Sequence, residues 1–225
     1  MDAEYPAIDV TPRNGNEPFL LNQVPTSHSL LDFWKWFGSD LTGNTARGIL
    51  AEYIVATALG IEAGVRIEWA PMDLIYQGAG IEVKSSSYIQ TWHQKKASAI
   101  SFGIQRTKKW DAKTNSFIGE LRRQADIYVF CVLAHHETST INPLELNQWD
   151  FYVLPTSVLN QECETQNTIG LKRLISLAQN LSNTTNLHHA LMKFCQMPGR
   201  TDELITRETV SLFGFGDRLS RMYTS

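Results

Sequence analysis

Apolar positions along the chain change period several times, and each change predicts an element. Residues 1–28 hold no period; Pro6, Pro12, Pro18 and Pro25 with interspersed Gly and Asn predict an extended arm. Helical spacing begins at Ser29, a side chain suited to an N-cap, and runs to Phe37, with Gly38 just past the end. The aromatics of this helix, Phe33, Trp34, Trp36 and Phe37, read as core or interface positions rather than a base-stacking platform. A second helix is expected from Thr45, after Asn44, to Leu59, before Gly60. Its apolar stripe is Ile49, Leu50, Tyr53 and Ile54, and Gly48, Glu52 and Ala56 share one face at four-residue spacing. Two small residues flanking one acid would let that face approach a sheet and present Glu52 to it. Short strands are expected over Val65–Ala70, Asp73–Tyr76 and Ile81–Tyr88, a long apolar one over Ala125–Ala134, and another over Phe151–Leu154, ended by Pro155. The remainder reads as mainly helical, most clearly over Leu187–Met197. This order predicts an α/β fold in one domain: the arm (1–28), a mixed β-sheet core with flanking helices (29–160) and a helical C-terminal extension (161–225).

The second and third strands flank Gln77-Gly78-Ala79-Gly80, which suits a tight hairpin. With Gly78-Ala79 as the loop, Leu74 faces Val83 and Tyr76 faces Ile81, so one side is wholly apolar. The other side then carries Asp73 opposite Lys84, with Glu82 on the diagonal. A slip of one residue would mix the two sides, so the hydrophobic pattern itself gathers Asp73, Glu82 and Lys84. Carboxylates so grouped suit a hard divalent cation, Mg²⁺ foremost with Mn²⁺ as substitute. Such an ion acidifies water and polarises a phosphate, while a lysine orients that water or offsets developing charge. Asp73, Glu82 and Glu52 are the expected metal ligands, and Lys84 completes the catalytic group. The competing reading is an ordinary cross-strand ion pair between Asp73 and Lys84, worth under about 1 kcal/mol if exposed. It leaves the convergence of Glu82 and Glu52 unexplained, because clustered carboxylates repel unless a cation joins them.

Pro71-Met72-Asp73, then Glu82-Val83-Lys84, preceded by a helix bearing Glu52, resembles the PD-(D/E)XK nuclease superfamily, the restriction-endonuclease-like proteins. The resemblance spans about residues 44–155 and departs from the literal motif at Met72, inserted between proline and aspartate. It implies a restriction-endonuclease-like core and metal-dependent DNA cleavage, of an endonuclease of restriction or defence type. Some relatives add a glutamine after the lysine, for which Gln90 or Gln94 would stand. An acid, any residue and a lysine occur about once by chance in such a chain, and Asp111-Ala112-Lys113 is a second instance, read as loop. Strand context, register and the preceding acid favour Glu82 and Lys84.

Charge adds a location for substrate. Net charge is −3, but residues 1–63 hold eight acids and three bases, whereas residues 94–123 hold eight bases and two acids. Within that basic stretch Lys95, Lys96, Arg106, Lys108 and Lys109 are the candidates for contacting nucleic acid; the bland alternative is a solvated loop-rich surface. Ser85, Ser86 and Ser87 suit phosphate positioning or simply the polar end of a strand. His93 beside Trp92 reads as a packing turn before it reads as an accessory group, and the adjacent pairs His135-His136 and His188-His189 make poor joint ligands. No run approaches a membrane span, and the acidic N-terminus broken by Pro6 lacks signal-peptide character. Three dispersed cysteines form no metal spacing and indicate a reduced, cytoplasmic compartment. Phosphate-loop, nucleophile-elbow and zinc-protease motifs are absent. Two other classes compete: a binding module that kept the fold without catalysis, against which the intact Asp73, Glu82 and Lys84 argue, and a thiol enzyme using Cys131 with a histidine, against which the place of Cys131 in the middle of an apolar strand argues. Cutting both strands of a duplex is simplest with two sites, which makes a homodimer the expected assembly.

Overall fold

The structure is a computed structural model and describes residues 5, 8–111, 114–181, 187–189 and 191–192. In chain order the elements are β1 (Pro18–Leu21), β2 (Val24–Ser29), α1 (Leu30–Gly38), α2 (Asn44–Leu59), β3 (Leu74–Tyr76), β4 (Ala79–Ser87), β5 (Ser101–Gly103), β6 (Thr107–Asp111), β7 (Ser116–Arg122), β8 (Ile127–Leu133), β9 (Trp149–Pro155), α3 (Thr156–Glu162), β10 (Thr168–Gly170), α4 (Leu171–Leu177) and β11 (Gln179–Leu181). The central sheet is mixed, in the order β11-β9-β8-β4-β3, with β4 and β8 parallel and the other neighbours antiparallel. It is an α/β fold, as the order of apolar periods predicts.

Strand β8 lies at the centre, and every one of its residues is buried. Alternation sends Ile127, Val129, Cys131 and Leu133 to one face, where Ile81 and Val83 of β4 meet Ala51, Ile54 and Val55 of α2. Tyr128, Phe130 and Val132 go to the other face, against Leu159 of α3, Ile169 of β10, Leu174 of α4 and Phe102 of β5. α2 turns its Arg47, Ala51, Val55 and Leu59 side inward and leaves Tyr53 exposed. The buried stripe is therefore rotated from the one expected, toward the smaller residues that let a helix lie close to a sheet. Gly60 closes α2 in the left-handed conformation.

Several expectations are corrected. The arm at 1–28 contains a hairpin, β1–β2, turned at Asn22 and Gln23 with positive φ. Ser29 does cap α1, within a capping box shared with Asp32, but the helix includes Gly38 and ends at Ser39. Residues 65–70 form no strand, and β3 stays the edge of the central sheet. The polar segment around Lys108, expected as loop, supplies β6 of a separate two-stranded sheet with β7. Among the described residues after 160, the end of α3, α4 and residues 187–189 and 191–192 are helical, and the short strands β10 and β11 are interspersed with them. Of the expected helix Leu187–Met197, residues 187–189 and 191–192 are helical, with Leu187 and Leu191 buried against the sheet, and the rest lies outside the described residues. Ala112 and Lys113 likewise lie outside them.

Candidate active site

The β3–β4 hairpin sets the site. Its turn is Gln77-Gly78, at φ 47 and 73, so the pairs are Leu74 with Ile81 and Tyr76 with Ala79. The expected loop was one residue later. Ala79 is buried in the core and belongs to the strand, which shifts the pairing by two residues and preserves the face of every side chain. The shift changes the neighbour of Asp73 from Lys84 to Glu82. Asp73 lies just before β3, where its Oδ2 accepts a hydrogen bond of 2.7 Å from the Val83 N–H. Burial, then the Glu82 charge, pushes its carboxyl up from the usual 3.8 to about 6; the Val83 bond and Lys84 oppose that rise only in part. Lys84 Nζ donates to Glu82 Oε1 at 2.5 Å. Asp73, Glu82 and Lys84 therefore do form one electrostatic group.

Glu52 is placed differently. Glu82 and Lys84 alternate with Ile81 and Val83 and so face away from α2, whereas Glu52 rides on α2. Arg66 holds it, with Nε 2.5 Å from Oε2 and Nη2 2.9 Å from Oε1. The Glu52 charge still reaches Asp73 and adds to the rise of its pKa. Spacing gave no sign of Arg66, which lies in the irregular segment before β3. Among the described residues no three His, Cys, Asp or Glu side chains are gathered in a metal-binding arrangement. Asp73 and Glu82 nevertheless fit a hard cation. Mg²⁺ commonly takes only one or two carboxylates and fills its shell with water and phosphate oxygens, and Asp73 next to Glu82 is a pair of like charges that a cation would relieve.

On the Glu82 side of the sheet, β4 and β8 run parallel with Glu82 beside Tyr128 and Lys84 beside Phe130. Pro71, Glu82, Lys84, Gly103, Gln105, Thr107, Gln124 and Tyr128 enclose a small polar pocket. Tyr128 is 4% exposed, and burial followed by the Glu82 charge pushes its phenol to about 12, so it stays protonated. Sequence patterning placed Tyr128 only inside an apolar run, and its proximity to Glu82 follows from the parallel register alone.

The remaining candidates separate into groups. Ser86 shares the face of Lys84 by alternation, whereas Ser85 accepts from Arg47 Nε at 3.1 Å on the α2 side. Gln90 and Gln94 organise the loop after β4: the Gln90 amide donates to Ser87 O and accepts from Arg47, while the Gln94 amide bridges Tyr88 O and Ser98 Oγ. His93, Lys95 and Lys96 are exposed on that loop. Arg106, Lys108 and Lys109 are exposed at the start of the β6–β7 hairpin. Arg123, counted in the basic stretch, is instead buried and donates to the carbonyls of Ile104, Cys163 and Gln166 and to Asn160. Cys131 and Cys163 are free and buried, and burial pushes the Cys131 thiol far up, which disables it as a nucleophile. No helix among the described residues is long and apolar enough to cross a membrane.

Comparison with protein families assigns a class to this arrangement, that of the endonucleases. Residues 35–173, more than half of the chain, match the family of bacteriophage T4 endonuclease IV, and the chain belongs to that family. The matched span runs from α1 into α4 and contains Glu52, Asp73, Glu82, Lys84 and Tyr128. No curated protein and no solved structure matches the chain.

Proposed function

We propose that this protein is a metal-dependent DNA endonuclease of PD-(D/E)XK type, serving restriction or defence. The observation that carries the reading is the Asp73–Glu82–Lys84 group: a half-buried carboxyl raised to about 6 beside a second carboxylate and an ion-paired lysine. It stands on a hairpin inside the endonuclease-family match. Asp73 and Glu82 would hold Mg²⁺ or Mn²⁺, and the bound ion would supply charge to polarise the scissile phosphate and acidify the attacking water. Lys84, already within 2.5 Å of Glu82, would orient that water or offset charge on the phosphate. Glu52 would join the shell only on leaving Arg66, so the Glu52–Arg66 pair is the part of the site that changes on loading. Lys95, Lys96, Arg106, Lys108 and Lys109 would hold the phosphate backbone. DNA as substrate rests on the motif resemblance together with the endonuclease family. A homodimer belongs to the same proposal, and the exposed aromatic face of α1 has the chemistry for such an interface.

The test is incubation with duplex, single-stranded and branched DNA and with RNA, in Mg²⁺ or Mn²⁺ and with chelator. Metal-dependent cleavage is expected from the wild type. Asp73→Asn, Glu82→Gln and Lys84→Ala should each lose at least about a hundredfold in kcat, in line with removal of a charge-stabilising group. Binding of DNA without any cleavage would favour the inactive binding module instead.

A further inference from the structure

Tyr128 presents a hydroxyl that the site as described does not use. It is 4% exposed, and its hydroxyl makes no hydrogen bond among the described residues. No fully buried side-chain polar atom among the described residues lacks a partner, so this hydroxyl is not sealed in the core and stays open to a ligand. The ring lines the small pocket that Glu82 and Lys84 also line, so its unpaired group opens onto the catalytic pair. Apart from the Glu82 carboxylate, Pro71 and Gly103, the wall carries side chains able to donate hydrogen bonds. Lys84 offers an ammonium, Thr107 a hydroxyl, and Gln105 and Gln124 amides. Gln124 Nε2 donates to Thr107 O at 2.6 Å and Arg122 O at 3.3 Å, so Gln124 shapes the wall and leaves the donating to Lys84, Thr107, Gln105 and Tyr128. Gly103 leaves the space that the Gln105 amide fills, for a Cβ there would stand 2.9 Å from Gln105 Oε1. Such a wall suits an acceptor-rich anion, and its position against Glu82 and Lys84 makes a phosphate the fitting one.

We infer that Tyr128 is a substrate-contact residue, donating its hydroxyl hydrogen bond to a non-bridging oxygen of the scissile phosphate seated between Lys84 and Thr107. The inference rests on the proposed nuclease reading and adds to it a contact from β8. Because the phenol is neutral, it binds phosphate without adding charge to the metal-binding pair. Its bond strengthens as negative charge builds on the phosphate oxygens, so it acts chiefly on kcat.

Tyr128→Phe deletes the oxygen and leaves the ring packing. The variant should melt within a few degrees of wild type, keep its KM within about threefold, and lose on the order of tenfold to a hundredfold in kcat. A thio substitution separates contact from support. A phosphorothioate of defined stereochemistry at the scissile position places sulfur, a poor acceptor, at one non-bridging oxygen. One diastereomer should slow the wild type but cause no further loss in Tyr128→Phe, and the other should slow both alike. On metal-free wild type, inorganic phosphate should show ³¹P line broadening that Tyr128→Phe reduces, a readout independent of turnover. Wild-type cleavage with unchanged kcat in Tyr128→Phe, or with the same two thio penalties in both proteins, overturns the contact and leaves the nuclease standing. A wild type that cleaves nothing overturns the proposed function, and the contact falls with it.

Discussion

At Asp73 the charge of a carboxylate and its surroundings disagree. Its carboxyl titrates near 6 in the folded chain and near 3.8 in an ordinary environment, because burial and Glu82 both disfavour the anion. The folded state thus binds more protons than the unfolded one between those values, and stability falls as pH rises through that window. The contribution is fully present below about pH 4 and lost above about pH 7; two pKa units set an upper figure of about 3 kcal/mol. Without metal, the stability difference between wild type and Asp73→Asn, followed by urea unfolding from pH 4 to 8, should therefore move against the wild type with rising pH. A flat difference would show that Asp73 ionises freely. Mg²⁺ should cancel the trend by binding the ionised form, with a larger gain in melting temperature at pH 8 than at pH 5. Arg66 and Tyr128 belong to the same scale. Neither was legible, because Arg66 meets Glu52 through an irregular segment and Tyr128 meets Glu82 through a parallel pairing that no local spacing encodes.

At the scale of elements, Met72, the extra residue in the motif, is absorbed by the hairpin. Its side chain packs on Gly80 across β3–β4, where an added Cβ would stand 2.1 Å from Met72 Sδ. Gly80→Ala should displace Met72 and with it the adjoining Asp73, costing about 1–3 kcal/mol as overpacking does and lowering activity. Met72→Ala in the same chain should recover part of both losses; additive losses in that double-mutant cycle would show that the two side chains do not meet. This hairpin also marks how far the sequence could be read. Alternation fixed which face each side chain takes, and that sufficed to unite Asp73, Glu82 and Lys84. It did not fix the register, since a shift of two residues leaves the apolar pattern intact; the turn decided it. Burial period located α2 and β8 for the same reason. The β6–β7 hairpin left no such trace, because Thr107, Lys108 and Lys109 are all exposed and carry no apolar period. Val65, Ile67 and Trp69 misled in the opposite sense: they alternate like a strand but are exposed and join no sheet.

Across the whole molecule, charge and exposed aromatic surface are unevenly shared. The acidic first third contains the β1–β2 hairpin and α1, where Trp36 is 83% exposed and Phe33 stacks on Phe37 at 5.8 Å without any buried residue in the helix. Most of that module precedes the family match, which begins at Lys35. The basic stretch includes the β6–β7 hairpin, which adjoins the segment before β3. Trp110 of β6 sits 6.4 Å from Trp69, just ahead of Pro71-Met72-Asp73, and 5.0 Å from Phe117 of β7. That aromatic chain links the β6–β7 hairpin to the segment before Asp73, and Thr107 of β6 and Gln124 after β7 form part of the pocket wall of the candidate site. Lys108 and Lys109, exposed on β6, are thereby carried beside the place where a phosphate would sit. The pairing is irregular between Thr107 and Lys109, which re-aims side chains there and frees neighbouring lysines from strict alternation. If these lysines hold the nucleic-acid backbone, each lost phosphate contact should lower the salt slope of duplex binding by about 0.9. Lys108→Ala/Lys109→Ala should then bind DNA more weakly at low salt, approach wild type at high salt, and retain its kcat at saturating substrate. Asp73→Asn should do the reverse, losing cleavage while metal-free binding stays equal or tightens, since it removes a negative charge near the phosphate. Fluorescence anisotropy over a salt series, with single-turnover cleavage on the same substrate, measures both quantities. Unchanged affinity and slope in the double-lysine variant would remove the hairpin from recognition and leave it a solvated surface.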